Sequence, residues 1–97
     1  TLDWRSIHES GMIFDDWLAA AESAANRDRM RDATDALTLD PEALHALRGL
    51  AKTVHVVAIA EDWCGDVVRH VPALARLERE APDRVLVRYI FREQHPD

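Results

Sequence analysis

One side chain in this sequence can act as a soft nucleophile, and it occurs once: Cys64, within the run Glu61-Asp62-Trp63-Cys64-Gly65-Asp66. A thiol attacks as its thiolate, so its surroundings decide its reactivity. Ahead of it lies VHVVAIA at 54–60, an apolar stretch rich in Val. Behind it Val67, Val68, Val71, Leu74, Ala75 and Leu77 recur at spacings of three and four. The first pattern predicts a parallel strand buried on both faces, the second an amphipathic helix. Cys64 therefore falls where a strand gives way to a helix. There, unpaired backbone N–H groups and the positive end of the helix dipole favour an anion. The chemistry this suits is attack on a disulfide. Glu61, Asp62 and Asp66 work against it, because nearby carboxylates disfavour a thiolate.

Each residue of this turn also has a structural reading. Cys64 could be an inert core cysteine, although its turn position and polar neighbours favour a reactive one. Asp66 either takes part in the chemistry or complements the dipole in the first helical turn. Trp63 either shields the thiol and offers a partner an apolar ledge, or packs beneath the turn. Gly65 lets a partner approach. Pro72 is expected to kink the helix and to play a structural part. The five histidines, His8, His45, His55, His70 and His95, form no pair at metal-ligand spacing, and with one cysteine no zinc site can be assembled. Neither metal nor cofactor is expected. His55 reads as a core histidine bonded to backbone, and His70 points away from the thiol.

Trp63-Cys64-Gly65-Asp66 after an apolar strand, with Pro72 eight residues beyond the cysteine, resembles the active-site segment of thioredoxin-like proteins, usually W-C-G-P-C. The hexapeptide EDWCGD is similar to a bacterial branch that keeps one cysteine. The resemblance covers about residues 42–97 and leaves 1–36 outside. It implies an α/β thioredoxin-like fold, of which this chain holds the N-terminal βαβ half. The departures are specific. Val67 stands where the resolving cysteine would be, Asp66 where the turn proline would be, and Ala58 where the family carries a buried acid. Two antiparallel strands, a final helix and a cis-proline loop would follow residue 97. The resemblance implies single-cysteine thiol–disulfide exchange with Cys64 as nucleophile, an external thiol such as glutathione completing the cycle. The other function it admits is a redox-silent module that binds proteins. Iron–sulfur ligation, as in single-cysteine glutaredoxins with a CGFS turn, fits poorly because Asp66-Val67 replaces the last two residues of that turn.

The elements that must position Cys64 divide the chain at residue 37, into a helical extension at 1–37 and a βαβ portion at 38–97. Residues 1–10, with Trp4 and Ile7, read as a short helical opening with Asp3 as N-cap, interrupted at Gly11. Phe14, Trp17, Leu18, Ala21 and Ala25 predict a second helix ending near Asn26. A third, highly charged one covers 27–36 with Met30, Ala33 and Leu37 on one face, and it is read as a solvated surface. Asp40-Pro41-Glu42 starts a fourth helix, which ends at Gly49, with Leu44, Leu47 and Leu50 as candidates to face the core. After the central helix, 85–91 is a second strand, parallel to the first. Residues 92–97 are polar and include His95-Pro96, so the strand stops there.

Ninety-seven residues with 47% hydrophobic content suffice for one small domain. A net charge of −6, with eighteen acids against twelve bases, leaves no basic stripe for nucleic acid. No apolar run approaches a membrane span and the start lacks a signal peptide, so the cytoplasm is the simplest address. Expected partners are protein or low-molecular-weight thiols and disulfides. Two parallel strands leave an open edge at 54–60, which a further part of the polypeptide or a second copy of the chain would cover.

Overall fold

A computed structural model describes residues 2–92 and contains, among them, five helices and two strands: α1 (Trp4–Ser10), α2 (Phe14–Ala19), α3 (Ala24–Ala36), α4 (Pro41–Arg48), β1 (Val54–Ile59), α5 (Gly65–Glu80) and β2 (Val85–Ile90). The expected polar close of the chain lies, beyond Arg92, outside the described residues. β1 and β2 are parallel and in register from Val54↔Val85 to Ile59↔Ile90, joined through α5 as the βαβ pattern requires.

The helix starts follow local chemistry. Asp3 caps α1 by accepting the Ser6 N–H, and its hydrogen bonds to the Ser6 hydroxyl and amide hold its carboxyl below the ordinary range. Pro41 opens α4, and Gly49 closes it. Two expectations for the N-terminal half fail. The second helix does not run to Asn26: α2 stops at Ala19, and Ser23 caps a new helix through the Asn26 N–H. Nor is the charged helix merely solvated. Met30 and Thr34 of α3 are fully buried, Thr34 takes the inward place expected of Ala33, and Ala33 is exposed.

The core joins both halves of the chain. Phe14, Trp17 and Leu18 of α2 and Met30 of α3 pack with Val71 and Ala75 of α5 and with Val85, Val87 and Tyr89 of β2. Leu44 and Leu47 of α4 are half-buried, and Leu47 reaches the edge of this core.

The expectation for the first strand fails. β2 is the buried one. β1, read from sequence as covered on both faces, contains no buried residue; Val54 is 44% and Ile59 62% exposed. The reason lies in the sheet edges. The outer edge of β2 is closed three times: Val85 N–H donates to Ala81 O (3.0 Å), Val87 N–H to the Glu78 carboxylate (2.9 Å), and Tyr89 pairs with Met12 in both directions. β1 turns its even-numbered amides to β2, as Val54 N–H to Arg84 O and Ala60 N–H to Ile90 O show. In a parallel ladder this aims the backbone groups of His55, Val57 and Ile59 outward, where no described strand meets them.

Candidate thiol site

The backbone carries the chain from β1 into α5 through a tight turn in which Cys64 N–H donates to Glu61 O at 3.1 Å. Cys64 is the N-cap of α5, in extended conformation at φ −80° and ψ 124°, and its carbonyl accepts the Val68 N–H at 3.1 Å. Its sulfur makes no capping hydrogen bond. The thiol is free and half-buried. Trp63, immediately before it, is 67% exposed, so it stands out as a ledge and is not packed beneath the turn. At Gly65, the next residue after Cys64, a Cβ would meet nothing within 4 Å, so the chain is open to solvent at that position. Asp66 is exposed in the first turn of α5, which suits the dipole. Val67 faces inward against the core, as does Ala58 of β1, so neither place holds a thiol or an acid. α5 continues through Pro72, which is buried and lacks the N–H that would have bonded Val68 O.

Asp62 lies elsewhere than expected. Grouped from sequence with the acids around the thiol, it is 1% exposed and turns to the N-terminus of α3, where Ser23 N–H donates to its carboxylate at 2.7 Å. Asn26 Nδ2 donates to Asp62 O at 2.9 Å. Other anchors hold the residues leading into the turn. Trp17 Nε1 donates to Ala60 O at 3.2 Å, and Arg92 N–H donates to the Glu61 carboxylate at 2.6 Å. The segment is thus pinned up to Asp62 by α2, α3 and the end of β2, while Trp63, Gly65 and Asp66 are exposed. Sequence reasoning missed Ser23, Asn26 and Trp17 as parts of this site; the helix-capping pattern Ser23-x-x-Asn26 was the one signal available.

The histidines do not converge on the thiol. His70 is exposed on α5. His55 is not a core residue: it is exposed on β1 and meets the His8 ring edge-on at 5.2 Å, and it is His8 whose Nε2 lies 3.1 Å from the backbone oxygen of Leu86. A cleft of about 750 Å³ opens there, lined by Trp4, Arg5, His8, His55, Val57 and Leu86, away from the 61–66 segment. Among the described residues no group of three or more His, Cys, Asp or Glu side chains could hold a metal ion, and no helix is long and apolar enough to cross a membrane.

A thioredoxin family model matches residues 11–97, reaching well upstream of the segment that carries the sequence resemblance. In structure the chain is similar to a crystallised protein of unknown function from Pseudomonas aeruginosa, with a TM-score of 0.85 at 15% identity over 97% of this chain. It spans 57% of that protein's length. At this identity the likeness shows the fold alone. No curated protein matches.

Proposed function

The chain belongs to the thioredoxin family, and from that premise we propose that it exchanges thiols and disulfides through one cysteine, as a member of a branch marked by EDWCGD. The observation that carries the reading is Cys64 at the N-cap of α5, its sulfur outside any cap bond, beside the exposed indole of Trp63 and the open flank of Gly65. The Cys64 thiolate attacks one sulfur of a disulfide RS–SR′. A Cys64–SR bond forms as the S–S bond breaks, and R′S⁻ leaves and takes a proton from water. An external thiol, such as glutathione, then attacks the mixed disulfide, leaves with R as a new disulfide and returns Cys64 as thiolate. With Val67 at the resolving position, the turn holds no second cysteine to close a disulfide with Cys64. Partners are protein or small-molecule thiols and disulfides, and a reducing cytoplasm supports the second step.

The test is glutathione-dependent reduction of a peptide–glutathione mixed disulfide. Wild type is expected to accelerate it and to yield a mass-detectable Cys64 adduct, whereas Cys64→Ser abolishes both. The other reading, a redox-silent protein-binding module, is favoured by Ala58 in the acid's place. No acceleration by wild type, with capture of a protein partner unchanged in Cys64→Ser, selects it instead.

A further inference from the structure

The Asp62 contacts form a helix cap divided between two elements. In an ordinary capping box the N-cap hydroxyl accepts the N3 amide, and the N3 side chain reaches back to the N-cap N–H. Here Ser23 Oγ accepts the Asn26 N–H at 3.2 Å, but the reciprocal half is exchanged: the Ser23 N–H goes to the Asp62 carboxylate at 2.7 Å, and Asn26 Nδ2 goes to Asp62 O at 2.9 Å. The β1–α5 turn supplies the missing half of the α3 cap, and α3 holds the turn at both a side chain and a carbonyl of one residue. That residue lies two positions before the sulfur and is 1% exposed. A buried acceptor that already satisfies a backbone N–H resists displacement, because water cannot replace its partner without opening the packing.

We propose that Asp62 is a positioning residue for the Cys64 thiol, acting with Asn26 to keep the turn closed so that the sulfur stays at the N-terminus of α5. This rests on the thiol-exchange reading for its purpose, though its test does not need that activity. With the cap intact, Cys64 keeps its N-cap place at the start of α5, the end of a helix where unpaired backbone N–H groups and the dipole favour an anion. With the cap broken, the turn loosens and the sulfur leaves that position for part of the time.

The experiment is the rate of iodoacetamide alkylation of Cys64 against pH, between about pH 5 and 9, with the melting temperature of each variant. In Asp62→Ala the neutral-pH rate is expected to fall about three- to tenfold, the change that withdrawal of one ordinary hydrogen bond produces, with the curve displaced to higher pH. Asp62→Asn keeps an oxygen for Ser23 and is expected to restore both rate and curve. Asn26→Ala, which removes only one of the contacts, is expected to move the curve the same way by less, and it serves if Asp62→Ala does not fold. A lowered melting temperature with an unchanged curve overturns the proposal in favour of simple stability. A faster reaction in Asp62→Asn, displaced to lower pH, overturns it in favour of charge repulsion. If wild type fails to reduce the mixed disulfide while these displacements appear, the exchange reading falls and the positioning role stands.

Discussion

Tyr89 buries its ring against Phe14 and Trp17, with centroids 5.7 and 5.4 Å apart, yet its hydroxyl meets no hydrogen-bond partner among the described residues. A buried polar group left unpaired costs about 1–3 kcal/mol, so Tyr89→Phe is expected to raise unfolding free energy in urea by an amount in that range; a loss would mean that the oxygen has a partner. The same burial, with the Glu78 carboxylate nearby, pushes the phenol above its ordinary value of 10.0. As pH passes that value the unfolded chain releases this proton and the folded chain keeps it. The folded state then binds more protons, so stability present at neutral pH declines as pH rises past 10. Tyr89→Phe is expected to remove that alkaline decline, measured by urea titration at increasing pH. Cys64 at its junction was legible in the sequence because strand, turn and helix patterns are all local to it. Asp62 was not, because its partner Ser23 is 39 residues away in sequence and nothing in EDWCGD shows which acid turns inward.

At the scale of elements, the two sheet edges set the behaviour of the strands. Glu78 closes the β2 edge by accepting the buried Val87 N–H, and Arg88 Nη1 stands 3.8 Å from the same carboxylate. Glu78→Ala leaves that N–H unpaired and is expected to cost about 1–3 kcal/mol by chemical denaturation; Glu78→Gln, which keeps an acceptor, is expected to cost clearly less. Equal losses would show that charge, not hydrogen bonding, matters there. Both strands, their parallel pairing and the helix between them followed from apolar runs and spacing. Which strand is buried did not, because VHVVAIA reads the same whether an edge is covered or free. The alanine-rich 19–25 stretch misled for a related reason: its propensity favours one continuous helix, while Ser23, drawn to Asp62, starts a new one.

Across the whole molecule, the helices before residue 37 and the βαβ portion share one core through Trp17, Met30 and Tyr89. Deleting residues 1–37 is therefore expected to leave no cooperative unfolding transition in the remainder, and Trp17→Ala in the full chain is expected to cost about 3–5 kcal/mol. A truncated chain that still melts cooperatively would support the sequence-based division at 37. The β1 edge that no described strand covers has no acid, Lys, Arg or Pro to block pairing. Light scattering of these 97 residues is expected to detect association that Ile59→Lys weakens; a well-folded monomer would count against it. The three indoles divide the molecule in another way. Trp63, the neighbour of Cys64 in sequence, stands in water, and Trp17 is sealed inside. A substituent gained by the thiol is expected to change the polarity around the first ring and to leave the second alone. With the exposed Trp4 replaced by Phe, the colour of emission is expected to separate occupancy of Cys64 from loss of the fold; no shift on alkylation of Cys64 would place the ring out of reach of the sulfur.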